Sequence, residues 1–111
     1  MRYLSSPNSL FLQGLQLYRQ NQLVVSASIF QRTLERFRQL GDRFGEAKTL
    51  YYLGLNHEAL NQIASALDYY EQFLAVAEVS HDGPSPILEH RARVDQATQK
   101  INQLQRRSKT A

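Results

Sequence analysis

The stretch LGDRFGEAKTLYYLGLNHEALNQIASALDYYEQFLAV, from Leu40 to Val76, determines how the rest of the chain is interpreted. Its pattern predicts two helices separated by a short turn at Asn61-Gln62. Gly54 falls inside the first of these helices, where glycine costs about 1 kcal/mol relative to alanine. Because a chain that accepts this cost usually needs the missing side chain, we expect a neighbouring helix to approach Gly54 closely.

The same pattern occurs 40 residues upstream. A shift of 40 places Gly14 on Gly54 and Phe30 on Tyr70. It also pairs Leu15 with Leu55, Asn21-Gln22 with Asn61-Gln62, Leu23 with Ile63, and Leu34 with Leu74. Self-similarity at a period of 20–50 residues is typical of repeat architectures. The sequence therefore predicts two copies of one helical hairpin.

These hairpins resemble the tetratricopeptide repeat, whose consensus has a small residue in helix A, a small residue early in helix B and an aromatic residue four positions later. The matching residues are Gly54, Ala66 and Tyr70 in the second copy, and Gly14, Ser26 and Phe30 in the first. The resemblance covers Ser9 to Val79 and is weaker in the first copy, where Gln13 replaces the apolar residue before the glycine. The 40-residue spacing, with the linking phrase LGDRFGEA, is similar to the long-repeat variety of kinesin light chains and many bacterial regulators.

The resemblance implies an all-α fold, in which antiparallel helix hairpins form a right-handed superhelix. The predicted organisation is a flexible arm over 1–7, repeats over 8–41 and 42–80, a loop over 81–86, a capping helix over 87–105 and a basic disordered tail over 106–111. The capping helix is expected because the last repeat of a solenoid needs a polar outer face. Ile87, Val94 and Ile101 recur every seven residues along it, with Ala97 and Leu104 at alternate positions.

Length and composition narrow the classes of protein further. A chain of 111 residues has no room for two independent cores. The absence of cysteine excludes disulfides and thiolate metal sites. The sequence contains no run of 18 apolar residues and no signal-peptide pattern, so we expect a cytoplasmic protein without a membrane span.

No constellation of catalytic residues is recognisable. The histidines His57, His81 and His90 have no histidine or cysteine partner at helical spacing, and the glycines form no phosphate-binding loop. No serine stands in a G-x-S-x-G motif. We therefore expect no enzymatic activity, no metal, no cofactor and no small-molecule substrate.

The resemblance implies a peptide-binding groove lined by the A helices. Its residues would be Phe11, Leu15, Tyr18 and Arg19 from the first copy, and Lys48, Tyr51, Leu55, Glu58 and Ala59 from the second. In the adjacent pairs Tyr51-Tyr52 and Tyr69-Tyr70, neighbouring side chains diverge by about 100°, which predicts that Tyr51 and Tyr69 lie on or near a surface. An apolar band beside Arg19 and Lys48 has the composition of a helix- or peptide-binding surface. The alternative, that these are ordinary packing residues, stays open.

One subclass of ligand is disfavoured. Chaperone-binding members grip a C-terminal carboxylate with lysine and asparagine at fixed positions of helix A. The matching positions hold Phe11 and Leu15 in one copy and Tyr51 and Leu55 in the other. That carboxylate clamp is absent.

The basic residues concentrate at the C-terminal end. Residues 85–111 carry six basic and two acidic residues, whereas residues 1–84 carry seven and eight. Such a segment could contact phosphates without sequence preference. Because it has no aromatic residue for base stacking and its apolar stripe is explained by packing, nucleic-acid binding is disfavoured.

The predicted function is recognition of a peptide or helix of another protein by a small adaptor or assembly factor. Two repeats fall below the usual minimum of about three for independent stability, so we also expect a homodimer. A constitutive structural subunit of a larger complex and a basic nucleic-acid accessory are the alternatives.

Overall fold

The computed structural model describes residues 6–79 and 87–110, and within these ranges every regular element is an α-helix. The helices are α1 (Pro7–Arg19), α2 (Leu23–Leu40), α3 (Arg43–Ala59), α4 (Ile63–Val79) and α5 (Ile87–Thr110). The predicted all-α fold is confirmed. Residues 1–5, the predicted loop over 81–86 and Ala111 lie outside the described residues.

Local sequence signals set where the helices begin and end. The Asp42 side chain accepts a hydrogen bond from the backbone N–H of Gly45 at 2.9 Å and so caps α3. Gly41 ends α2 with a φ of 69°, in the left-handed region that favours glycine. Asn21 and Asn61 follow α1 and α3 with φ values of 63° and 60°, which asparagine tolerates better than most residues. The hairpin turns therefore fall where the repeat predicts them.

Each hairpin closes around a glycine and an aromatic ring. A Cβ atom on Gly54 would lie 2.5 Å from Cε1 of Tyr70, and one on Gly14 would lie 2.8 Å from the ring of Phe30. The expected close approach is confirmed in both copies. Ser26 and Ala66, the small residues early in α2 and α4, are fully buried. The Ser26 hydroxyl also donates to the backbone carbonyl of Gly14 at 2.7 Å.

A third close contact between a glycine and an aromatic ring joins the two hairpins. A Cβ atom on Gly45 would overlap the side chain of Phe37, which is itself buried. Glycine at position 45 therefore lets the start of α3 approach α2. This contact was not predicted, although the position of Gly45 inside the linking phrase LGDRFGEA is a signal for it.

Side-chain contacts divide the helices into two layers. Aromatic contacts connect α1 to α3, and hydrogen bonds connect α3 to α5. In the other layer, Gln31 of α2 donates to the Tyr69 hydroxyl of α4, and Arg38 of α2 donates to Gln72 of α4 at 3.3 Å. The surface formed by α1, α3 and α5 is called the A-helix surface below.

Helix α5 packs against α4 and differs in two ways from its prediction. Over residues 92–107, the most buried side chains of α5 are Ala97 and Leu104. Val94 and Ile101, members of the predicted seven-residue stripe, flank them and are only partly buried. The helix also continues to Thr110 instead of ending near Gln105 before a disordered tail. No glycine or proline interrupts residues 106–110, and Arg107 donates to the Asn61 side chain at 2.9 Å.

The two repeats differ on the face that points away from the C-terminal end of the stack. The second repeat buries Thr49, Leu53 and Asn56 completely; the equivalent residues of the first repeat, Ser9, Gln13 and Gln16, are exposed. Ser9, Gln13 and Gln16 are polar, and polar side chains on that face suit contact with water.

Candidate functional site

Tyr52 connects the two repeats at the A-helix surface. Its ring centroid lies 5.4 Å from that of Phe11, 6.4 Å from that of Tyr18 and 6.0 Å from that of Phe30. The contacts with Phe11 and Tyr18 are edge-to-face, an arrangement that aromatic pairs favour. Tyr52 was not among the predicted site residues, although its neighbour Tyr51 was. It fixes α1 against α3 and so sets the width of the surface between them.

Phe11 is a core residue covered by a cation. Its side chain is only 6% exposed, and the Lys48 ammonium nitrogen lies 4.3 Å from its ring centroid. The same nitrogen lies 5.8 Å from the ring of Phe44. Because ammonium groups are attracted to aromatic faces, these rings hold Lys48 in place at the surface. Phe11 thus supports the surface instead of contacting solvent.

The structure contradicts the prediction that Tyr51 lies on or near a surface. Tyr51 is 5% exposed, its ring centroid lies 5.4 Å from that of Phe73, and its hydroxyl donates to Gln96 of α5 at 2.6 Å. The prediction treated one tyrosine of each pair as outward-facing, but α3 is covered on two sides. Helices α4 and α5 cover Tyr51, while α1 and α2 contact Tyr52. Burial raises the pKa of the Tyr51 hydroxyl above its ordinary value.

The Glu58 carboxylate accepts hydrogen bonds from two side chains. Its Oε1 atom accepts from the Tyr70 hydroxyl at 2.8 Å and from the Lys100 ammonium at 3.3 Å. Burial raises the pKa of Tyr70, and the hydrogen bond to Glu58 raises it further. Burial and the nearby Glu58 charge also raise the pKa of Tyr18. The predicted groove residue Glu58 therefore links α4 and α5 to α3.

The remaining predicted residues lie at the A-helix surface itself. Leu15, Tyr18 and Leu55 are partly buried and pack against the edge of the core, and Arg19 is exposed at the end of α1. Ala59, at the end of α3, is exposed as well. Partly exposed apolar side chains beside cations can bury a partner's side chains. They carry no nucleophile or acid–base pair that would suggest catalysis.

His57 takes part in packing. Its ring stacks on Tyr69 with centroids 5.1 Å apart, and its Nδ1 lies 2.6 Å from Oε1 of Gln62. Over the part of the chain that the structure describes, no group of three or more histidine or acidic side chains could hold a metal ion. Tyr69 is partly buried, as expected of a residue near a surface.

Comparison with known families matches residues 6–78 to the tetratricopeptide repeat model. The chain belongs to the tetratricopeptide repeat family. No curated protein and no solved structure matches the chain. Tetratricopeptide repeats are generally non-catalytic modules of protein–protein interaction, which fits the surface described above. None of the helices in the described ranges is both long and apolar enough to cross a membrane. Membership of the long-repeat variety stays a prediction.

Proposed function

We propose that the chain is a small cytoplasmic tetratricopeptide repeat adaptor or assembly factor whose A-helix surface binds a peptide or helix of a partner protein. The observation that supports this most directly is the partly exposed set Leu15, Tyr18 and Leu55, in which Leu15 and Leu55 occupy equivalent positions on α1 and α3. Apolar side chains on neighbouring parallel helices form a band that an extended or helical segment can follow.

The energetics of this band favour binding. Fully burying a large apolar side chain stabilises by about 1.5–3 kcal/mol, and these three residues already have part of their surface buried. Little side-chain freedom is therefore lost when a partner covers the rest, which lowers the entropic cost of association. Tyr18 adds a hydroxyl that can orient a partner's polar group.

In this proposal, eight of the nine predicted groove residues divide into two groups. Leu15, Tyr18, Arg19 and Leu55 contact the partner directly, with Lys48 beside them. Phe11, Tyr51 and Glu58 support the surface from below or from the side, through the contacts with Lys48, Gln96 and Lys100.

Affinity capture from native cell extract tests the proposal. The baits are the wild type, the double variant Leu15→Gln/Leu55→Gln and the matched control Val24→Gln, which changes an exposed apolar residue of α2. We expect a protein that is retained by the wild type and by Val24→Gln and lost from the double variant. Identical captures by all three folded baits would overturn the proposed surface.

We also propose that copies of the chain associate. Two observations support this proposal: the described residues form two repeats, fewer than the usual minimum of about three, and the apolar side chains of Leu12 and Leu40 are exposed. Light scattering should give a molecular mass that rises towards twice the chain mass with concentration. A constant monomer mass at high concentration, with a cooperative melt, would contradict self-association.

A further inference from the structure

Charge is distributed unequally between the two layers of helices. Helices α1, α3 and α5 contain nine basic and four acidic residues, whereas α2 and α4 contain three basic and four acidic residues. Helix α1 contributes Arg19 and no acidic residue at all. The layer that carries the apolar band is therefore the strongly cationic one.

Two of the four negative charges of that layer, those of Glu58 and Glu46, are already engaged. Glu58 accepts from Lys100 and Tyr70, as described above. Glu46 is buried at the α2–α3 junction, where it pairs with Arg38 at 3.0 Å and with Arg43 at 3.5 Å. Neither carboxylate is left to attract a basic partner.

Several cations of the layer stay close to solvent. Arg19 is exposed, and it makes no ion pair within the described ranges. Lys48 is held at the surface by the rings of Phe11 and Phe44. Arg107 is exposed on α5, where it donates to the side chain of Asn61. Arg19 belongs to α1 and Lys48 to α3, the two helices that supply the apolar band.

We infer that the partner segment is acidic: apolar side chains of the segment cover Leu15, Tyr18 and Leu55, and its carboxylates face Arg19 and Lys48. This inference rests on the proposed function and names the chemistry of its partner. A positive surface accelerates association with an acidic segment and disfavours basic competitors. Binding should therefore weaken as salt screens the charges.

Selection from a phage-displayed library of random peptides tests the inference. Peptides selected on the wild type are re-tested on Leu15→Gln/Leu55→Gln, which identifies those that need the apolar band. We expect these peptides to carry net negative charge. We expect Arg19→Glu to weaken their binding about three- to tenfold. The matched control Arg32→Glu, which reverses an exposed arginine of α2, should change binding less than twofold.

The outcomes separate the two proposals. Peptides that need the apolar band but are neutral or basic would overturn the acidic partner and leave the proposed function intact. A library that yields no peptide dependent on Leu15 and Leu55 would overturn both.

A single-stranded DNA oligonucleotide serves as a parallel probe. If it binds wild type and Leu15→Gln/Leu55→Gln equally, and displaces the selected peptides, the cations serve a nucleic-acid surface and the inference is wrong.

Discussion

The ring of Tyr70 lies so close to Gly54 that a methyl group at position 54 would stand 2.5 Å from Cε1 of the ring. Helices α3 and α4 therefore approach as closely as they do because position 54 has no side chain. We predict that Gly54→Ala lowers the free energy of unfolding by about 2 kcal/mol, since overpacking outweighs the gain in helix propensity. Urea denaturation measures the difference.

The control for this prediction removes the ring. In a Tyr70→Leu background, alanine at position 54 should be neutral or stabilising, because only the helix propensity term remains. An equal loss of stability in both backgrounds would show that the Gly54–Tyr70 contact is not the cause.

Asn56 is a second site where stability can be tested. It is fully buried, and neither its Oδ1 nor its Nδ2 has a hydrogen-bond partner in the described ranges. Because an unsatisfied buried polar group costs about 1–3 kcal/mol, we predict that Asn56→Leu raises the free energy of unfolding by about 1 kcal/mol or more.

Ser26→Ala is the matched comparison for Asn56→Leu. Ser26 is also fully buried, but its hydroxyl donates to the Gly14 carbonyl. Its replacement should lower stability by about 1 kcal/mol. Thermal melts of both variants should shift in opposite directions. A loss of stability in Asn56→Leu would contradict the assignment of Asn56 as unsatisfied.

The raised pKa of Tyr70 predicts that the folded protein loses stability at alkaline pH. Folding raises the pKa of Tyr70 above its ordinary value of 10.0, chiefly through burial. The unfolded chain therefore loses this proton at a lower pH than the folded chain. The contribution of the Tyr70 hydroxyl to the free energy of unfolding is fully present below about pH 10. Above that pH it falls, by up to about 1.4 kcal/mol per pH unit.

Tyr70→Phe separates this effect from the titration of lysines. The variant loses the hydrogen bond to Glu58 and should be less stable than wild type at pH 8 by about 1 kcal/mol. The gap between the two proteins should narrow between pH 10 and pH 11. A gap that stays constant over this range in chemical denaturation would rule out the shifted tyrosine.

The packing of α5 against the rest of the helices can be tested by substitution. Leu104 is 1% exposed, and Leu104→Ala should cost about 2–4 kcal/mol. Gln105→Ala, at the exposed neighbouring position, should change stability by less than about 0.5 kcal/mol. Circular dichroism and tyrosine fluorescence should report the same transition. A Leu104→Ala variant as stable as wild type would mean that α5 does not pack as described.

The repeat signature predicted more of the fold than of the site. Two kinds of predicted feature are local: the pairs Gly14–Phe30 and Gly54–Tyr70, and the turns at Asn21 and Asn61. Each depends on residues at fixed spacing. Such features can be recognised in the sequence because their physical cause lies within one hairpin.

The burial of Tyr51 could not be predicted in this way. It depends on α5, which approaches α3 only after the chain has passed through α4 and the following segment. A helical periodicity says which residues share a face, but it does not say how many neighbours cover that face. The same reason explains why Glu58 was assigned to an open groove, although it contacts Tyr70 and Lys100.

The most direct test of the proposed binding surface is a titration of the isotope-labelled chain with one of the selected acidic peptides, followed by amide chemical shifts. We predict that the largest shifts lie on α1 and α3, around Leu15, Tyr18, Arg19 and Leu55. Helix α2 around Val24 and Arg32 should be unaffected. Shifts confined to α2 and α4 would contradict the account, because the partner would then bind the opposite layer.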